Sequence, residues 1–323
     1  PEIDARRFIH GFRRENLAIE MAERPPSTRV DAAHAILSDP ERRPALVYVP
    51  SRRMAEEVAA TLDRSFPTAA YHAGMESRTR SRVQERFLGG ELDVIVATIA
   101  FGMGIDKADV RTVIHMALPG SVESYYQEIG RAGRDGKPAR AVLFHAYADR
   151  KVHESFFERE YPETDTFARI RDMVPNDGIG REDLVATCGL EAETAESAVA
   201  KLWVNGGVSV DADDRVRRAD GDWRRSYESV RRHREGQVDE VASLARSGAC
   251  RMVLLVRHFG ERDNRPCGLC DNCRPEEALA RTFREPTMRE KDAVAAVLDE
   301  LRGRDGLATG TLHRNLFPDG RID

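Results

Sequence analysis

Four of the five cysteines fall in one cluster, Cys250-x16-Cys267-x2-Cys270-x2-Cys273. Thiolates two residues apart can converge on one ion from a tight turn, and Gly268 with the Asp271-Asn272 pair supplies the turn chemistry. Cys250 then comes from the helix preceding this knuckle, so a bound ion ties that helix down. Four thiolates in tetrahedral array fit structural zinc, with no coordination position left open for chemistry. An iron–sulfur cluster is the rival, because C-x2-C-x2-C also opens the ferredoxin pattern, but no fourth cysteine follows Cys273. The bland alternative is four reduced thiols without an ion. Cys188 stands alone at a helix end and reads as a small core residue.

Two further stretches suit phosphate chemistry. In Val96-Ala97-Thr98-Ile99-Ala100-Phe101-Gly102-Met103-Gly104-Ile105-Asp106-Lys107, a glycine-containing loop follows the apolar run DVIVAT. Thr98 therefore falls at the carboxyl end of a parallel strand, where open α/β sheets bind ligands. A hydroxyl, with the close backbone approach that Gly102 and Gly104 permit, suits a phosphate, and Asp106 suits a ribose hydroxyl or a cation. A lone G-x-G loop is usually just a turn. The second stretch, Tyr125-Tyr126-Gln127-Glu128-Ile129-Gly130-Arg131-Ala132-Gly133-Arg134-Asp135-Gly136, begins on a helix and ends in a glycine-rich turn. Arg131 and Arg134 lie three apart with small residues between, so both guanidinium groups can project toward one anionic partner. An arginine offered across a cleft to a γ-phosphate is the finger of phosphoryl-transfer chemistry. A single exposed arginine is normally only solvated; the two stretches together outweigh that reading.

The elements that must position these residues can be read from the hydrophobic pattern. From residue 45, short apolar runs (ALVYV, TAAYH, DVIVAT, TVIHMAL, ARAVLFH) alternate with amphipathic ones (SRRMAEEVAATLDR, SRTRSRVQERFL, SVESYYQEI). This predicts a parallel sheet covered on both faces. FIHGFRRENLAIEM reads as an entry strand, RPPST and SDPERRP as loops, and Tyr147 to Glu160 as a helix, so an α/β domain occupies residues 1–160. Residues 161–225 change texture to two short helices and a hairpin, VSV-DADD-RVRR, which is a winged-helix pattern. A generic small α+β insertion is the alternative, because the second helix carries Glu191, Glu193 and Glu196 where a groove-reading helix is basic. Residues 226–282 hold the cysteines, and 283–323 contain two further helical runs that begin another helical or winged-helix domain.

Composition bounds the rest. With 323 residues, 41% hydrophobic and 33% charged, the chain is neither a disordered tail nor a stapled mini-protein. No apolar run approaches the roughly 18–20 residues of a membrane span, and the N-terminus lacks a signal-peptide layout, so a cytoplasmic protein with no membrane partner is expected. The first residue is Pro1, which suggests a piece of something longer. A net charge of −5 argues mildly against a protein that coats nucleic acid. Arginine makes up 45 of the 50 basic residues; GC-rich codon usage and phosphate contacts both explain this, and composition does not separate them.

The two phosphate-suited stretches closely resemble motifs V and VI of the RecQ family of DNA helicases, superfamily 2 motors. Tyr48-Val49-Pro50-Ser51-Arg52 resembles motif IV, and Tyr71-His72-Ala73-Gly74-Met75 the following family element. The cysteine pattern, with Cys250-Arg251-Met252-Val253-Leu254-Leu255 and His258-Phe259-Gly260-Glu261, is similar to the RecQ zinc-binding subdomain. DEAD-box RNA helicases typically have a His-Arg pair where this chain has Gln127-Glu128, which favours DNA over RNA. The resemblance implies a second RecA-like lobe, a winged-helix-like insertion and a helical zinc-binding subdomain, within an ATP-dependent 3′→5′ DNA helicase acting on DNA with a single-stranded tail. It implies that Arg134, supported by Arg131, is the arginine finger and that Gln127 helps couple the lobes. Asp106 with Gly104 would approach the nucleotide, and Ser51, Arg52, His72 and Thr98, with Gly102 and Met103, would grip phosphates of the tracking strand. Zinc is structural in this scheme, and the setting is bacterial cytoplasm or nucleoid, in replication, recombination or repair.

Two departures stand out. There is no G-x-x-x-x-G-K-[ST] loop and no Asp-Glu-x-His segment, so ATP and magnesium are expected only with a first lobe that this chain lacks, and the chain alone is expected to be inactive. The 163–225 segment also stands where a typical RecQ runs straight on. The competing expectation is a non-enzymatic DNA-binding or interaction module built on a degenerate helicase lobe.

Overall fold

In the computed structural model, which describes residues 11–99, 101, 106–280, 286–302 and 309–316, the alternating runs form one parallel sheet. Its strands are β1 (Leu17–Glu23), β2 (Ala45–Tyr48), β3 (Thr68–Tyr71), β4 (Val94–Ala97), β5 (Thr112–His115) and β6 (Ala139–His145), in the order β1-β6-β5-β2-β4-β3. All neighbours pair in parallel. The crossovers are α1 (Arg29–Leu37), α2 (Arg52–Leu62), α3 (Ser77–Leu88) and α4 (Val122–Ile129). The entry strand is shorter than its pattern predicts: residues 11–16 run irregularly and pairing starts at Leu17. RPPST and SDPERRP become short 3-10 turns flanking α1, a helix that the sequence pattern does not announce.

Near-continuous apolar strands are buried on both sides, as parallel sheets require. One face packs Ala45, Val47, Val94, Val96 and Ile114 under α1 and α2. On the other, Leu46, Ile95, Val113 and Leu143 lie under α3 and α4, and also under α9 (Trp223–Arg246) and α10 (Arg251–His258). Val241, Leu244, Met252, Leu255 and Val256 from these last two helices are all buried there. At about 1.5–3 kcal/mol per fully buried apolar side chain, α9 and α10 are part of the lobe's own core and not a separate bead.

Between the lobe and α9 the chain forms α5 (Tyr147–Glu160), α6 (Thr164–Met173), β7 (Ile179–Gly180), α7 (Arg181–Thr187), α8 (Ala192–Val204), β8 (Val208–Val210) and β9 (Arg215–Arg218). The three strands form a separate antiparallel sheet, β7-β9-β8. The expected pair of helices is thus preceded by another, α6, and the hairpin gains a third strand. Phe167, Ile170, Leu184, Leu202, Val216, Trp223 and Tyr227 make an independent core. Trp223 and Tyr227 open α9, so this helix, 24 residues and about 36 Å long, anchors one end in the inserted module and the other in the lobe.

Residues 282–323 form a second compact unit, whose described elements are α11 (Met288–Arg302) and α12 (Thr309–Leu316). Among the described residues no helix is long and apolar enough to cross a membrane.

Candidate nucleotide, nucleic-acid and metal sites

β2, β4 and β3 are neighbours in the sheet, and Ser51, Thr98 and His72 follow their carboxyl ends directly. The Thr98 amide donates to the Tyr71 carbonyl at 3.3 Å, joining two of these exits. Ser51 is the N-cap of α2, its Oγ accepting from the Met54 amide at 3.2 Å. One of its lone pairs is therefore committed to the helix, and its proton and second lone pair remain available. Arg52 is exposed and folds across Gly74, where a Cβ would meet Arg52 Nη1 at 3.2 Å and His72 Nδ1 at 3.3 Å. His72 is less available than its motif position suggests: it is buried, and its Nε2 lies 3.2 Å from Glu56. Buried Nδ1 has no partner. Thr98, half-buried, and Arg52 are the accessible members at this edge. The N-terminus of α2 opens beside them, and helix N-termini favour anions.

The arginine loop lies toward the opposite, amino-terminal end of the strands. Gly133 N–H donates to the Val110 carbonyl at 2.8 Å and Asp135 N–H to Ala108 at 3.1 Å, just ahead of β5. Here Arg134 Nη1 meets Asp106 Oδ1 at 2.9 Å. The Asp106 side chain is 90% exposed. Between Thr98 and Asp106 in the chain, Phe101 is buried against Tyr71 and Phe87. Gly102, Met103 and Gly104 lie outside the described residues. Asp135 is paired with Arg111 at 2.6 Å, and that guanidinium holds its carboxyl below the usual carboxylate range.

Arg131 and Arg134 do not aim together. Arg131 is half-buried, its charge acting on the Tyr48 hydroxyl and its Nε enclosed and unpartnered; Arg134 points outward. Gln127 is exposed on α4. Beneath them is a group that motif spacing does not reveal. His115 Nε2 and Glu128 meet at 2.6 Å, both buried. His115 stacks on Tyr48 at 5.1 Å and edges Tyr125 at 5.0 Å. The Tyr48 hydroxyl donates to the Phe101 carbonyl at 3.0 Å, and burial pushes its pKa well above the usual tyrosine value. The available signal is a histidine inside the apolar strand TVIHMAL and a glutamate on the inner side of α4.

The cysteines converge. All four Sγ atoms lie within 4.8 Å of one another, with Cys267···Cys273 and Cys250···Cys270 both at 4.0 Å. Zn–S bonds of about 2.3 Å in a tetrahedron put sulfurs roughly 3.8 Å apart, so this set fits a zinc ion with little adjustment. Amides of Cys267, Leu269 and Cys270 donate to the Cys250 and Cys267 sulfurs at 3.2–3.4 Å, as thiolates favour. Gly268 supplies the turn at φ +68°. A hydrogen bond from Cys267 lowers the Cys270 thiol to about 5, while the same contact raises that of Cys267. Cys250 is the N-cap of α10, so the cluster ties the start of that helix, not its body, to the knuckle.

Asp271, inside the knuckle, reaches into the lobe. Its amide donates to the Ile19 carbonyl at 3.1 Å and its Oδ2 accepts from the Met21 amide at 3.0 Å, occupying the open side of edge strand β1. Arg251 grips the same carboxylate at 2.9 and 3.2 Å. It also donates to the carbonyls of Leu244, Ala245 and Ser247. Both side chains are essentially fully buried.

This lobe is of the helicase class: the Helicase conserved C-terminal domain matches residues 28–136, and the RecQ zinc-binding family matches residues 211–274. The two matches, with the relatives that follow, support a C-terminal piece of the RecQ family. The chain is 30% identical over 290 residues to a probable ATP-dependent DNA helicase RecS of Bacillus subtilis, covering 83% of this chain and 53% of that protein. It is 31% identical over 269 residues to the ATP-dependent DNA helicase RecQ of Haemophilus influenzae, covering 83% of this chain and 32% of that one. The chain thus spans about half the length of the first relative and a third of the second. Among solved structures, a DEAD box protein from the hyperthermophile Methanococcus jannaschii is similar over 45% of this chain and 39% of that one, with 28% identity and a TM-score of 0.37.

Proposed function

We propose that the chain is the C-terminal part of an ATP-dependent 3′→5′ DNA helicase of RecQ type, acting on DNA with a single-stranded tail. The observation that carries this reading is the placement of phosphate-suited groups at opposite ends of the parallel strands, Thr98 and Arg52 after the carboxyl ends of β4 and β2, and Arg134 with Asp106 ahead of β5. Thr98 and Arg52, with Ser51 and His72 behind them, grip phosphates of the tracking strand, a contact without base information, as a translocating motor requires. At the far end Arg134 is the finger that enters the γ-phosphate site of an upstream ATP-binding lobe. Asp106 keeps it extended until nucleotide takes it over, Arg131 braces the loop from inside, and Gln127 meets the other lobe. Magnesium and ATP belong to that lobe, so this chain by itself hydrolyses no ATP. Residues 1–160 form the second RecA-like lobe, 161–225 a winged-helix-like insertion, 226–282 the zinc subdomain with zinc on Cys250, Cys267, Cys270 and Cys273, and 283–323 the start of a further domain.

The test is Arg134→Ala in the protein extended upstream through an ATP-binding lobe. DNA-stimulated kcat is expected to fall by about 10³-fold or more, the usual worth of an arginine finger, with affinity for single-stranded DNA retained. Near-normal turnover would remove Arg134 from this role, whereas no DNA-stimulated turnover in the unsubstituted extended protein would leave the non-enzymatic reading standing.

A further inference from the structure

The arginine loop's backbone is held by a segment remote in sequence. Arg14 Nη1 donates to the Gly130 carbonyl at 3.3 Å, and Nη2 to those of Ala132 and Gly133, both at 2.9 Å. Asn16 Nδ2 adds bonds to Gly133 at 2.7 Å and Lys137 at 2.8 Å. These carbonyls flank Arg131 and Arg134 just beyond the C-terminus of α4, where a cation is favoured. Gly133 is at φ +60°, and a Cβ there would stand 2.5 Å from Asn16 Nδ2. The clasp and the glycine therefore require each other.

The same few residues hold the zinc subdomain on their other side. Phe12 stacks on Phe259 at 4.6 Å and edges Tyr126 of α4 at 5.8 Å. Its amide bonds the Glu261 carboxylate, and the Tyr126 hydroxyl donates to the Phe12 carbonyl at 2.5 Å. Arg13 pairs with Asp263 at 3.3 Å and donates to the carbonyls of Arg265 and Pro266 at 2.8 and 3.1 Å. Pro266 immediately precedes Cys267.

We propose that residues 12–16 are a strap that fixes the arginine loop against the zinc subdomain, with Arg14 the positioning residue for Arg134. This rests on the finger assignment made above. The fork on three acceptors within four residues sets where residues 130–134 lie; without it water can satisfy the part-buried carbonyls, so the fold persists while the finger loses its fixed origin. Displacement of a catalytic group by about 1 Å can cost on the order of 100-fold in rate.

The experiment compares Arg14→Gln and Arg14→Lys with Arg134→Ala in the protein extended through an ATP-binding lobe. In parallel, amide hydrogen exchange is followed at residues 131–136 in the present chain. Arg14→Gln is expected to lower kcat by about 10- to 100-fold, with the KM for ATP and single-stranded DNA affinity within about twofold and the melting temperature nearly unchanged. Arg14→Lys, keeping the charge without the fork, should fall between, and millimolar guanidinium should partly restore Arg14→Ala. Exchange at 131–136 should accelerate while that of β4 does not. Normal kcat in Arg14→Gln alongside a dead Arg134→Ala would overturn the strap and spare the finger. Normal turnover in Arg134→Ala would instead sink the finger assignment, and unchanged exchange at 131–136 would then sink the strap independently.

Discussion

In the zinc knuckle a glycine turn is fixed by its own side chains: four sulfurs meet at one point, and only Cys250 comes from outside the turn. The arginine loop is also a glycine turn packed on the same core, but its side chains are turned away from its own centre. Its backbone is held from without, by Arg14 and Asn16 on one side and by Ala108 and Val110 on the other. One turn resists change until its ion is lost; the other keeps its reactive group extended and depends on neighbours for its position. A structural site can afford self-sufficiency, whereas a group that must enter a site on another lobe cannot be cross-linked to its own turn.

The sharpest way to break this contrast is to remove the ion. Structural zinc contributes apparent binding energies of about 10–16 kcal/mol in small zinc modules, far beyond any other single term in this chain. One zinc per chain is expected by metal analysis, and chelation or Cys270→Ser should unfold the turn of residues 267–273, seen as loss of protection in its amides, while the body of α10, buried in the lobe core, stays protected. Amides of 267–273 that stay protected in metal-free protein would mean that the bonds to β1 and Arg13 hold the turn without the ion. Brown protein with visible absorption would replace zinc by an iron–sulfur cluster.

Next in size is the buried ion pair joining the knuckle to β1. Removing one partner of such a pair costs about 3–5 kcal/mol, because the other charge is left without compensation. Arg251→Met should therefore lower stability by that amount in denaturant unfolding, with zinc content unchanged at native conditions. A loss below about 1 kcal/mol would show that the Met21 amide of β1 already satisfies Asp271 without Arg251.

The contrast also explains what could be read from the residues. The knuckle was legible because its function lies in side-chain type and spacing, and the parallel sheet because strands such as VIVA are apolar throughout. Thr98 and Asp106 sit in one continuous stretch, yet Thr98 follows the carboxyl end of β4 and Asp106 precedes the amino end of β5, a separation that parallel strands impose. The inward turn of Arg131 depends on Tyr48, and the burial of His72 on its packing between α2 and β3; spacing carries neither. Arg14 and Asn16 were invisible for a different reason. They bind carbonyls, which every residue has, so nothing in the loop's composition points back to them.

The smallest effect concerns a second tie between the two regions. His258, in the last turn of α10, donates to Glu123 in the first turn of α4 at 2.7 Å. That bond holds the Glu123 carboxyl below its ordinary value of 4.5. A carboxyl depressed in the folded state contributes stability that is present above the unfolded value and is lost as pH falls through the folded one. Both side chains are partly exposed, so the contribution should be under about 1 kcal/mol. The stability of the wild type relative to Glu123→Gln should therefore hold at pH 5 and shrink between pH 4.5 and 3, as measured by urea unfolding across that range. A difference that widened toward acid would mean that Glu123 is favoured in its protonated form. The outward face of α4 would then be tied to α10 by apolar packing and the Phe12 strap, without help from this charge pair.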